Sequence, residues 1–312
     1  MPECTTNVLQ QCEHQALINA YDNSIAYTDQ VLAQTIAWLK PQAARHDTTL
    51  LYLSDHGESL GENNLYLHGL PDAVAPVEQK HVPMVLWQGP HAHAQAACLA
   101  AQRDAIAGVP TLPATLCDGD ECLDEALLHG IDARLTALPA AARERGVLLI
   151  LHQMGSHGPA YYKRSPPQRK PFQPECTTNV LQQCAHAALI NAYDNSIAYT
   201  DHVLAQTVDW LKQQAPRFAT AMLYVSDHGE SLGENNLYLH GLPYALAPVE
   251  QKHVPMLLWL GADERLPSAC LNARRDAALT HDHLFHTTLG LLGIRAAEYQ
   301  MALDAFAICR AR

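Results

Sequence analysis

Apolar residues return at helical spacing through one long stretch and gather into short runs on either side of it. From Ala187 to Gln213, Leu189, Tyr193, Ile197, Leu204, Val208 and Leu211 fall near one face of a 3.6-residue period, which predicts an amphipathic helix. Met222 to Val225 and Val254 to Trp259 are apolar runs too short for helices, and they predict buried strands. The same order occurs earlier, with a helix over Gln15 to Lys40 and strands at Leu50 to Leu53 and Val82 to Trp87. Val147 to Leu151 predicts a further strand. Thr280 stands as N-cap of a final helix whose Leu284, Phe285, Leu289 and Leu292 make an apolar face. Strands alternating with helices of this size predict an α/β fold with a mostly parallel sheet flanked by helices.

The recurrence is a duplication. Residues 2–105 align without a gap onto 174–277 at a constant offset of 172, with about three quarters of positions identical. Two copies of about a hundred residues form no solenoid, whose units run to roughly 20–50 residues. The organisation expected is therefore a duplicated segment, 1–105, followed by 106–312. Both copies offer the same helix and strands for one slot in a sheet, and only one register fits at a time. The second copy is expected to take the slot, leaving the first as an appendage, a satellite layer or an exchange element for a homo-oligomer.

Candidate chemistry lies where the strands end. In open α/β sheets ligands bind beyond the carboxyl ends of strands, and Met222 to Val225 runs directly into Ser226, Asp227, His228 and Gly229. His240 follows after a loop rich in Gly and Asn. One carboxylate and two imidazoles suit zinc; the competing account makes Asp227 a capping residue and both histidines loop residues. By the same strand-end logic His157, in GSHGP, is a metal or phosphate ligand or else a turn histidine. The first copy repeats the set as Asp55, His56 and His68.

Composition narrows the class. With a formal charge of -12 and 20 basic residues among 312, the chain is neither a general nucleic-acid binder nor a loose electrostatic binder of anionic membranes. No apolar run approaches bilayer-spanning length, and no signal peptide precedes Pro2. Of nine cysteines, Cys4 and Cys12, Cys117 and Cys122, and Cys176 and Cys184 form close pairs. Lacking C-x-x-C spacing, they read as small-loop disulfides of an oxidising compartment, with Cys98, Cys270 and Cys309 left over.

The string SDHGESLGENNLYLHG, followed by VPMLLW, resembles the catalytic domain of the phosphoethanolamine transferases that modify lipid A and related envelope glycans. These belong to the alkaline phosphatase and sulfatase superfamily. GSHGPAYYKR, PECTTNVLQQC and LFHTTLGLL extend the resemblance from Cys117 to Arg310. It implies an α/β alkaline phosphatase/sulfatase-like fold, incomplete at its N-terminal side, with a periplasmic catalytic domain, family disulfides and an inner-membrane setting. It further implies Zn2+ held by Asp227 and His228, with His157 and His240 at a second-metal or phosphate site. In such enzymes zinc activates a threonine that takes phosphoethanolamine from phosphatidylethanolamine and passes it to lipid A.

The resemblance also exposes a gap. The family's nucleophilic threonine and first acidic zinc ligand lie before the region matching Cys117, where this chain carries its extra copy. Thr5, Thr6, Thr177 and Thr178 sit in the disulfide-loop motif and match neither. Transfer activity is therefore expected to be impaired. The alternatives are a non-catalytic zinc-binding fragment of a rearranged gene and another hydrolase of the superfamily.

Overall fold

The computed structural model describes residues 3–5, 11–44, 48–54, 57–62, 65–67, 76–80, 84–88, 112–113, 115–118, 121–144, 146–241, 244, 246–261, 266–294 and 296–310. Asp55, His56, His68 and Cys98 lie outside them. The first copy contains α1 (His14–Gln42), β1 (Thr49–Leu53), β2 (Ser59–Leu60), β3 (Tyr66–Leu67), α2 (Val77–Lys80) and β4 (Met84–Gln88). The middle contributes β5 (Cys117–Asp118), β6 (Glu121–Cys122), α3 (Ile131–Ala137) and α4 (Ala140–Glu144). The second copy contains α5 (His186–Gln214), β7 (Ala221–Val225), β8 (Ser231–Leu232), β9 (Tyr238–Leu239), α6 (Val249–Lys252), β10 (Met256–Leu260) and α7 (Ser268–Ala273); α8 (Asp282–Leu291) follows.

Each element of the first copy recurs 172 residues later with the same bounds, down to the two-residue strands. The expected competition for one slot does not arise among the described residues, because each copy carries both strands of its own ladder. β1 pairs antiparallel with β4, and β7 pairs antiparallel with β10. All five ladders among the described residues are two-stranded and antiparallel. An antiparallel pair at the edge of an otherwise parallel sheet is common in α/β folds. Val147–Leu151 is not a strand: it forms no ladder, and Leu148 and Ile150 are exposed. Its β-rich composition supplies propensity, but a strand exists only through a partner's N–H and C=O groups.

The chain divides into two compact units, Met1–Thr200 and Asp201–Arg312, the division falling within α5. In the first unit, three disulfides close small loops: Cys4–Cys12, Cys117–Cys122 and Cys176–Cys184. Asn195 of α5 accepts the Phe172 N–H at 2.9 Å and donates to the Phe172 carbonyl at 3.0 Å. Tyr199 donates to the Glu125 carboxylate at 2.7 Å. The buried stripe of α5 runs through Ala192, Ser196, Tyr199, Val203 and Thr207, whereas Ile197, predicted to face inward, is 46% exposed. The stripe differs from the apolar pattern because polar members satisfy themselves within it: Ser196 donates to the Tyr193 carbonyl and Thr207 to that of Val203. The matching face of α1 is open, with Tyr27 69% exposed where Tyr199 is 1%.

In the second unit, Met256, Leu258 and Leu260 alternate along β10 and pack against Leu266, Phe306 and Ala305. Leu257, between them, points outward, as the two-residue strand period requires. A fourth disulfide, Cys270–Cys309, ties α7 to the C-terminal segment. Thr280 lies one residue outside the cap position of α8, which His281 occupies, and its hydroxyl donates to Asp282 instead. The buried positions of α8 are His286 and Thr287, not Phe285 or Leu292. They face inward because His286 Nδ1 accepts the Gln300 N–H and Thr287 Oγ1 the Ala305 N–H, which fastens the tail to the helix.

Candidate metal centre

The motif loop is built from backbone first. β7 ends at Val225, and Ser226 N–H reaches the Pro255 carbonyl at 3.3 Å, just before β10. Gly229 N–H donates to the Gln251 carbonyl at 3.0 Å. A Cβ at Gly229 would stand 2.0 Å from the Glu250 carbonyl oxygen, so only glycine permits this approach. Gln251 Nε2 then donates to the buried Ser231 hydroxyl at 2.9 Å. The short β8–β9 hairpin turns through Gly233 and returns the chain toward its start.

The first copy repeats this scaffold closely. Gly57 N–H meets the Gln79 carbonyl at 3.0 Å, Gln79 Nε2 meets Ser59 Oγ at 2.8 Å, and a Cβ on Gly57 would lie 1.9 Å from the Glu78 oxygen. The same segment sequence thus makes the same bonds in both copies.

The hairpin stacks His240 on His228, with ring centroids 3.6 Å apart and planes at 26°. Their ligand-capable nitrogens lie within 4.8 Å of each other. His228 Nδ1 faces the Gly229 carbonyl at 3.1 Å, and His240 Nδ1 faces Glu230 Oε1 at 3.2 Å. A carbonyl or ionised carboxylate can only accept, so both Nδ1 atoms donate, which leaves Nε2 as the nitrogen each ring can offer a metal. Two imidazoles beside a carboxylate are a donor set that suits zinc, so these residues fit the metal.

Asp227 is mostly exposed; its Oδ1 accepts the His228 N–H at 2.9 Å, and its Oδ2 lies 3.8 Å from His228 Nε2. Glu230 is the residue the sequence reading passed over. It sits three places after Asp227, its side chain is 3% exposed, and it holds His240. His281 also joins the loop, its Nε2 donating to the Ser226 carbonyl at 2.9 Å. It steadies the backbone before Asp227 with the nitrogen a ligand would use.

His157 belongs to the first unit. Its Nδ1 donates to the Gly158 carbonyl at 2.7 Å, which again places the lone pair on Nε2. Arg164 Nε donates to its carbonyl at 2.9 Å.

The strand-to-loop geometry places a carboxylate and two imidazoles together, a donor set compatible with a metal ion. Comparison with known proteins gives the class: the sulfatase family matches residues 2–118 and 103–294, and the chain belongs to that family. The chain is 42% identical over 231 residues to phosphoethanolamine transferase EptA of Salmonella typhimurium, covering 72% of this chain and 41% of that protein. The soluble domain of lipooligosaccharide phosphoethanolamine transferase A from Neisseria meningitidis superposes with a TM-score of 0.60 at 38% identity, over 64% of this chain and 60% of that one. The C-terminal periplasmic domain of phosphoethanolamine transferase EptC from Campylobacter jejuni gives 0.52 at 40% identity, covering 59% of this chain and 57% of that one. The chain therefore spans about two fifths of that curated relative. No helix among the described residues is long and apolar enough to cross a membrane.

Proposed function

We propose that this chain carries the zinc-binding part of a phosphoethanolamine transferase catalytic domain. The observation that carries the reading is the stacked His228–His240 pair, both rings pinned through Nδ1, beside Asp227. Asp227 and His228 hold Zn2+; His240, and on the sequence match His157, serve a second metal or the transferring phosphate. When bound, zinc neutralises charge on a phosphoryl group and lowers the pKa of an attacking hydroxyl. The chain's own part is to orient the ligands: Glu230 through His240, His281 through the Ser226 carbonyl, and Gly229 through its close approach to Glu250. Relatives named phosphatidylethanolamine transferase and Kdo(2)-lipid A phosphoethanolamine transferase support phosphatidylethanolamine as donor and lipid A as acceptor, and the periplasmic domain from Campylobacter jejuni supports a periplasmic setting.

The domain reading places a duplicated partial sulfatase-like segment at 1–105 and the C-terminal part of the transferase domain at 106–312. No residue of the chain matches the family's nucleophilic threonine or its first acidic ligand, so turnover by this chain alone is impaired. A zinc-binding fragment without transferase activity is the second reading, and the same gap favours it. Titrating the chain with zinc, then incubating it with phosphatidylethanolamine and seeking a phosphoethanolamine adduct by intact-mass spectrometry, separates the two. Zinc binding with an adduct supports the transferase; zinc binding without one supports the fragment. No zinc binding refutes both.

A further inference from the structure

Asp124 lies outside the motif loop and has no part in the reading above. It stands two residues past the Cys117–Cys122 disulfide, in the 3-10 turn Asp124–Leu128, and is buried. Its two carboxylate oxygens accept the N–H groups of successive residues, Met154 at 2.8 Å and Gly155 at 2.9 Å. Those residues begin a tight turn: His157 N–H closes onto the Met154 carbonyl at 3.2 Å, with Gly155 at φ +56. A buried carboxylate is retained only where donors satisfy it, and here both donors belong to one turn. The neighbouring acid does something else, since Glu125 accepts the Tyr199 hydroxyl of α5. One acid holds the turn and the other holds the helix.

We propose that Asp124 is a positioning residue for His157: it fixes, through two backbone hydrogen bonds, the turn that aims the imidazole. Burial raises the Asp124 carboxyl above its usual range, while the Met154 and Gly155 N–H groups, Arg164 and His152 draw it back. The proposal rests on the reading of His157 as a zinc or phosphate ligand, and the test separates the two.

Hydrogen–deuterium exchange of residues 152–158 and zinc titration are measured on the full chain for Asp124→Asn, Glu125→Gln, His157→Ala and Asp124→Asn/His157→Ala. Asn keeps the shape of Asp124 but sets an NH2 group against an N–H, so one bond of the pair is lost. Exchange at 152–158 should quicken roughly tenfold or more in Asp124→Asn and stay unchanged in Glu125→Gln. Zinc affinity should fall roughly 10- to 100-fold in Asp124→Asn, with no further loss when His157→Ala is added, because both act through one ring. Unchanged exchange, equal loosening by Glu125→Gln, additive zinc losses or global unfolding of Asp124→Asn each overturn the proposal. If His157→Ala leaves zinc binding intact, the ligand reading of His157 fails, and exchange alone decides whether Asp124 holds the turn.

Discussion

Gly229→Ala puts a methyl group where the structure has none to spare. The new Cβ would stand 2.0 Å from the Glu250 carbonyl oxygen and 3.1 Å from its carbon. Both are backbone atoms, so no rotamer relieves the overlap. Reaching an ordinary 3.4 Å contact requires the strands of backbone to part by 3.4 − 2.0 = 1.4 Å. That parting breaks the 3.0 Å bond from Gly229 N–H to the Gln251 carbonyl, worth about 1 kcal/mol. Overpacking adds about 1–3 kcal/mol, for a total loss of roughly 2–4 kcal/mol. The displaced loop carries Asp227 and His228, so zinc affinity should drop as well. Urea denaturation and zinc titration check both effects, and Gly57→Ala is the control. It meets the same clash at 1.9 Å from the Glu78 oxygen and should lower stability without changing zinc affinity at His228. A Gly229→Ala chain within about 0.5 kcal/mol of the parent, with unaltered zinc affinity, would refute the close-approach argument.

Removing the Glu230 carboxylate should matter through His240. Glu230→Ala is expected to weaken zinc binding roughly 10- to 100-fold, and Glu230→Gln less, because an amide oxygen still accepts from Nδ1; isothermal titration reads the difference. Tyr199→Phe should cost about 1.5–3 kcal/mol in chemical denaturation, the scale of a hydrogen bond to a charged group. Burial first, then the Glu125 hydrogen bond and charge, raise the Tyr199 pKa above its usual value. Stability from this group is therefore complete below pH about 10 and is lost as pH climbs further, a loss that Tyr199→Phe should diminish. Cys270→Ser opens the 39-residue link to Cys309 and should cost about 3–4 kcal/mol under oxidising conditions, with no difference from the parent in reductant.

Period and length in the sequence predict α5 within a residue at each end, the paired strands β7 and β10 nearly as well, and the duplication in full. The repeated segment also builds the same Gly–Gln and Ser–Gln bonds in both copies. The Cys270–Cys309 pair was only latent: Cys98 and Cys270 are duplicates of each other while Cys309 occurs once, and spacing alone does not join residues 39 apart.

Tertiary structure decided the rest, for a common physical reason. A polar residue's place depends on its partner, and partners come from elsewhere in the chain. Glu230 reads as an ordinary loop acid until His240 returns to it, and Asp124 as a surface charge until Met154 and Gly155 donate to it. Tyr27 and Tyr199 occupy equivalent places in nearly identical helices, yet one is exposed and the other buried. Val147–Leu151 has a strand's composition and no ladder. Residue order dictated which elements form; the neighbours each element met dictated which faces are buried, which tautomers the histidines hold, and which carboxylates position them.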